Sequence, residues 1–158
     1  MSRIRAVSIS VWVALSAALG CGGDAKDSGS SSVSDEEAGC GDSVDAVAAG
    51  LEFPCDDAAC SLVFVNLEPT VPDRGDNTWT LQVAASAASV SGLSVAPFMP
   101  AHQHGTAPAD FEGAPVSTDT WTVGPFDLFM PGRWEVRVTV TFDDSTTSEA
   151  VTSFCVEG

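Results

Sequence analysis

The strongest constraint on the fold of this chain is a strict alternation of residue types over residues 134–142. Trp134 and every second residue after it, as far as Phe142, are apolar, and the residues between them are polar or charged. Successive side chains of a β-strand point to opposite faces, so this period of two predicts a long antiparallel strand with one buried and one solvated face. A surface helix would need a period near 3.6 residues, which the pattern excludes here.

Shorter runs with strand character occur on both sides of that segment. They lie at residues 62–67, 78–83, 93–95, 120–123, 126–130 and 148–156. The run at 62–67 is mostly apolar, which predicts a strand buried on both faces. Gly, Pro, Asp and Ser separate the runs at 72–76, 91–92, 131–132 and 143–145, as in turns. About seven short strands at this spacing predict an all-β, immunoglobulin-like antiparallel β-sandwich.

The first 20 residues predict a lipoprotein signal peptide. Two arginines near the start precede an uncharged, mostly apolar run that is too short to span a bilayer comfortably. The run ends in Ala18-Leu19-Gly20-Cys21, which resembles a variant lipobox. We expect Cys21 to carry a lipid that anchors the chain to a membrane of the cell envelope, and Gly22 after it favours the outer membrane, with the chain facing the periplasm or the surface. An ordinary secretory signal with an incidental cysteine is the alternative.

Composition divides the remainder of the chain in two. Residues 21–39 are Gly, Ser, Asp and Glu with almost nothing apolar, which predicts a disordered tether. Residues 40–158 are predicted to form one disulfide-tied domain. It starts with a loose entry segment, residues 40–60, that is expected to be partly helical or irregular, with a short helix at residues 42–51.

Four cysteines remain besides Cys21, namely Cys40, Cys55, Cys60 and Cys155. An even number in an oxidising compartment predicts two disulfides with three possible pairings. We favour a bond from Cys55 or Cys60 to Cys155, with Cys40 taking the remaining partner. The spacing of Cys55 and Cys60 also fits half of a metal site, but zinc sites of this type normally use a second such pair, which the chain lacks.

Charge and motif content exclude several classes of function. The chain has 22 acidic and 6 basic residues and a net charge of −16, so it repels nucleic acid and concentrates cations. Adjacent carboxylates, Asp56-Asp57 and Asp143-Asp144, point to opposite sides of an extended chain and make poor acid–base pairs. The segment 89–92 lacks the leading glycine of a nucleophile elbow. We therefore expect no enzymatic activity.

Both histidines of the chain lie in one loop, within residues 96–116. In an extended segment the side chains of His102 and His104 point the same way, so they can share one ion. Met99 precedes them, and Met130 stands where the end of a sandwich can bring it to the same rim. Thioether with imidazole suits copper, especially Cu(I), better than zinc or magnesium. The residues therefore predict a copper site formed by Met99, His102, His104 and Met130.

A second interpretation of the same loop needs no metal. The histidines then hydrogen-bond to the loop backbone, and the methionines fill gaps in the core. The stiffened loop forms a rim that contacts a partner protein, with apolar contacts from Phe98 and Phe111. Trp121 is a further aromatic residue, but we expect it in the core.

The motif Met99-Pro100-x-His102-x-His104-Gly105, followed by Met130-Pro131-Gly132-x-Trp134, resembles the YtkA-like domain family. Residues 74–79 also fit the opening of that family, and the resemblance covers about residues 66–156. It implies a small exported β-sandwich, often a lipoprotein, that acts as a binding or accessory module and not as a catalyst. It further implies copper as the ligand and a copper donor or acceptor protein as the partner. Gln103 replaces the glycine of the commoner His-Gly-His, which keeps the ligands but removes a flexible backbone position.

Overall fold

The computed structural model describes Cys40 and residues 44–85 and 88–158. The predicted signal peptide, the lipidated Cys21 and the tether lie outside these residues. The described part has no helix, and residues 44–51, which we call the lead-in segment, are irregular. The strands are β1 (Glu52–Pro54), β2 (Cys60–Glu68), β3 (Gly75–Ala85), β4 (Val90–Met99), β5 (His104–Gly105), β6 (Phe111–Glu112), β7 (Ala114–Pro115), β8 (Thr120–Leu128), β9 (Gly132–Phe142) and β10 (Thr147–Val156).

These strands form two antiparallel sheets. The first has the order β1-β2-β3-β8-β7, and the second has the order β10-β9-β4-β5, with β6 also pairing with β4. The predicted all-β antiparallel sandwich is confirmed. Seven of the strands have three or more residues, including β1, which was not predicted, and β5, β6 and β7 have two residues each.

Two strand predictions were wrong in detail, the first because of a β-bulge and the second because the outer face of the sheet is partly solvated. The runs at 120–123 and 126–130 are one strand, β8, with Gly124 at a φ of 118°. The register with β3 shifts opposite this point, between Asn77 and Trp79, so the Gly-Pro that resembles a turn is a bulge. The strand β2 is buried on one face only, since Val65 is 48% exposed beside another register shift.

The core lies between the two sheets and is centred on aromatic side chains. The alternating apolar residues of β9, from Trp134 to Phe142, are all buried, as their period predicts. From the other sheet, the fully buried Trp79 makes edge-to-face contacts with Phe126 and Phe154, at ring-centre distances of 4.9 and 5.7 Å. Trp121 is also buried, as expected. This packing fixes how the ends of the strands meet.

The disulfides join Cys40 to Cys155 and Cys55 to Cys60. The favoured pairing of Cys155 with Cys55 or Cys60 was wrong. Cys55 and Cys60 flank the turn between β1 and β2, where their Cα atoms are 5.3 Å apart and the Cys55 amide donates to the Cys60 carbonyl. A bond across this hairpin leaves Cys155, on β10, for Cys40.

The lead-in segment covers part of the outer edge of β10. The amide of Asp45 donates to the carbonyl of Ser153, and its carboxylate accepts from the Thr152 hydroxyl at 2.9 Å. The amide of Asp56 donates to the carbonyl of Glu149 further along the same edge. Covering an exposed strand edge in this way protects a sheet from pairing with other chains.

Candidate metal site at the β4–β5 hairpin

The two histidines belong to a tight hairpin and not to an extended segment. Residues 100–103 connect β4 to β5, and the carbonyl of Met99 accepts hydrogen bonds from the amides of His102 and Gln103, at 3.2 and 2.9 Å. The chain then pairs back so that Met99 lies opposite His104. The expectation that an extended chain aligns the two imidazoles is therefore wrong, and the hairpin turn positions them.

Two residues define the shape of this hairpin. Gln103 has a φ of 55°, the left-handed conformation that glycine adopts most easily, and its side-chain amide donates to the carbonyl of Pro100. A Cβ atom at Gly105 would lie 2.5 Å from the carbonyl oxygen of Pro97. Gly105 is therefore required for β5 to approach β4, and this approach places His104.

The hairpin brings the two imidazoles close together. His102 is exposed, His104 is half-buried, and their ring centres are 5.6 Å apart with the rings tilted by 37°. A metal lies about 2.0–2.1 Å from a ligating nitrogen and hence about 3.2 Å from the ring centre, so two imidazoles on one ion have centres up to about 6.4 Å apart. The observed separation meets this distance requirement.

Both methionines are at least partly buried. Met99 is fully buried and lies directly opposite His104. Directly opposite residues share a face of the sheet, so the Met99 thioether and the His104 imidazole are neighbours on the inner face. Met130 is partly buried, packs against the core, and its carbonyl accepts a 2.9 Å hydrogen bond from the indole of Trp134. The burial of Met99 also agrees with the second interpretation, in which the methionines are core residues.

An aromatic stack holds His104 against the end of the first sheet. Its ring stacks on Phe129 at 5.5 Å and 16°, and Phe129 meets the buried Trp134 edge-on at 5.8 Å. Phe129 follows β8 directly, so this contact joins the two sheets next to the hairpin. The sequence analysis missed Phe129 because no spacing in the sequence relates it to His104.

The described residues contain no group of three or more His, Cys, Asp and Glu side chains placed to hold a metal ion. The register of β4 and β5 pairs Met99 with His104, and the carbonyl of Met130 accepts from the Trp134 indole.

Carboxylates elsewhere stabilise turns. The pKa of Asp119 is lowered by hydrogen bonds from Gln82, Ser117 and Thr120. The pKa of Asp57 is lowered chiefly by the hydroxyl of Ser148, and that of Asp144 chiefly by the hydroxyl of Thr146. Because hydrogen bonds to the ionised form stabilise it, these groups stay charged at neutral pH.

Comparisons of the chain with protein-family models, curated proteins and solved structures find no match. The resemblance to the YtkA-like domain family therefore stays a prediction from the motifs alone. Within the described residues, no helix has the length and apolar character needed to cross a membrane.

Proposed function

We propose that this protein is a lipid-anchored binding module of the cell envelope that binds copper at the β4–β5 hairpin. The observation that carries the proposal is the pair of imidazoles, His102 and His104, whose ring centres are 5.6 Å apart. Met99 pairs with His104 in the register of β4 and β5, and residues paired in this way have neighbouring side chains. Imidazole with thioether is a ligand set that favours copper, and Cu(I) in particular.

Each residue has a distinct role in this proposal. His102 and His104 are the primary ligands, and Met99 and Met130 supply sulfur from beneath them. Met99 lies opposite His104 and not opposite His102. In this proposal Met99 therefore binds the ion next to His104. The net charge of −16 attracts the cation to the domain. The partner is a copper donor or acceptor protein, and the module itself catalyses no reaction.

The test is a competition titration of the mature chain carrying Cys21→Ser. Cu(I) is titrated against a colorimetric chelator, and Cu(II) is titrated separately. The proposal predicts one-to-one Cu(I) binding that is lost in His102→Ala/His104→Ala. His104→Phe is a matched variant, because it keeps a ring to stack on Phe129 but removes the nitrogen. Equal binding by the native chain and both variants, with unchanged far-ultraviolet circular dichroism, would contradict the proposal.

The second candidate function is a protein-interaction module without metal. It is favoured by the complete burial of Met99 and by the exposure of Phe98 and Phe129, at 38% and 41%. In this case the same titration detects no copper binding above that of the double variant. The hairpin then serves as a rigid rim for a protein contact.

The anchor is tested independently of the ligand. Lipidation at Cys21 predicts that the full-length precursor, expressed in a bacterial host, yields a membrane-bound product whose N-terminal peptide carries the mass of a diacylglycerol. The Cys21→Ser precursor is expected to lack this mass and to leave the membrane fraction. An unmodified N-terminal peptide from the native precursor would contradict the anchor and leave the copper proposal unaffected.

A further inference from the structure

The outer face of the second sheet carries a groove with a volume of about 590 Å³. Strands β4, β9 and β10 form its floor, and the residues that follow β4 form one wall. We call it the outer groove, and its main lining residues are Ala96, Phe98, Asp110, Arg137 and Val151. Phe98 and Val151 are large apolar side chains that remain 38% and 43% exposed here. Two such side chains on one concave surface offer apolar area that a bound ligand would remove from water.

The spacing of Phe98 and Val151 fits an extended peptide. Ala96 pairs with Arg137, which pairs with Val151, so these residues form one row across three strands. Phe98 lies two residues further along β4. With strands about 4.8 Å apart and about 3.4 Å per residue, Phe98 and Val151 are separated by about 12 Å. Residues i and i+4 of an extended peptide share a face and lie about 13 Å apart, so a single peptide reaches both.

The charges around the outer groove favour a basic ligand. Arg137 forms an ion pair with Glu149 at 3.3 Å, and Arg133 forms one with Glu135 at 3.0 Å. Both arginines of this face therefore already have carboxylate partners. Asp110 on the wall adds a further exposed carboxylate, and the chain as a whole carries a net charge of −16. Complementary charge accelerates encounter and discriminates against acidic partners.

We propose that the outer groove binds an extended segment of a basic partner protein. Apolar side chains at positions i and i+4 of the segment lie against Phe98 and Val151. A lysine or arginine at i+2 extends toward the exposed carboxylate of Asp110, and the alternate side chains point to solvent. Two apolar contacts and one charged contact predict a weak, transient complex. This binding needs no metal, and its failure would leave the copper proposal untouched, although His104 of the β4–β5 hairpin also borders the groove.

The probe is a synthetic peptide, Ser-Leu-Ser-Lys-Ser-Leu-Ser, added to about 5 mM to the ¹⁵N-labelled mature chain carrying Cys21→Ser. The proposal predicts amide shift changes confined to β4, β9, β10 and residues 104–110. Phe98→Ala and Val151→Ala are each expected to weaken binding about fivefold or more. Val65→Ala and Val116→Ala are matched controls, because both valines are exposed but lie away from the groove, and they are expected to bind as the native chain does.

A peptide with glutamate in place of lysine is expected to bind about tenfold more weakly at low salt. Results of three kinds would overturn the proposal. The first is the absence of shift changes in the groove, or unchanged affinity in Phe98→Ala with a native amide spectrum. The second is equal or tighter binding of the glutamate peptide, which would indicate an anion site at Arg137. The third is self-association through this face in sedimentation, which would make a second copy of the chain the occupant.

Discussion

The two disulfides are expected to contribute very differently to stability. A disulfide restricts the unfolded chain more when the loop that it closes is longer. The Cys40–Cys155 bond has a sequence separation of 115, and the Cys55–Cys60 bond has one of 5. In the chain-entropy model, loops of these lengths correspond to about 4.8 and about 2.1 kcal/mol at about 25 °C. Removing the first bond should therefore cost more than twice as much free energy of unfolding as removing the second.

The assay is urea denaturation of two double variants, Cys40→Ala/Cys155→Ala and Cys55→Ala/Cys60→Ala, in the Cys21→Ser background. Tryptophan fluorescence follows unfolding, since Trp79 and Trp134 are fully buried. Peptide mapping under non-reducing conditions verifies the pairing in the parent, because cleavage after Glu52 separates Cys40 from Cys55. A larger loss of stability in the Cys55→Ala/Cys60→Ala variant would refute the reasoning, as would a peptide that joins Cys155 to Cys55 or Cys60.

Three further predictions concern the core, the hairpin and the turns. Trp134→Ala should lower the free energy of unfolding by about 3–5 kcal/mol in urea denaturation, because it empties a fully buried site. Gly105→Ala should cost about 1–3 kcal/mol and weaken Cu(I) binding in the competition assay, since the new methyl group meets the carbonyl of Pro97; Gly92→Ala, with ordinary contact distances, is the control. The lowered pKa of Asp119 contributes stability that is present above the unfolded pKa of 3.8 and is lost as the pH falls below it, so the denaturation midpoint of Asp119→Asn should depend less on pH in that window.

The sequence was most informative where burial alone decides the structure. The alternation in β9 predicted both the strand and its buried face, because a side-chain period of two follows from strand geometry. It was less informative where a bulge interrupts the pairing, since the Gly124-Pro125 pair resembles a turn although β8 continues through it. The disulfide pairing also depends on which chain segments meet, and the local spacing of cysteines does not report this.

The sequence likewise predicted the candidate site only in part. His102 and His104 were identified from their residue type and spacing, and the hairpin does bring their rings together. Their alignment depends on a turn with Gln103 in a left-handed conformation, which the motif did not predict. The Phe129 stack and the outer groove arise from contacts between strands far apart in the sequence, so no local pattern could reveal them.

The central claim is that one copper ion binds to imidazole and thioether at the β4–β5 hairpin. X-ray absorption at the copper edge tests it most directly, with one equivalent of Cu(I) bound to the native chain and to Met99→Leu and Met130→Leu, which approximately conserve volume. The account predicts imidazole nitrogen and sulfur around the copper of the native chain, and less sulfur in at least one methionine variant. A native spectrum without sulfur, or copper that stays bound when both histidines are replaced by alanine, would contradict it.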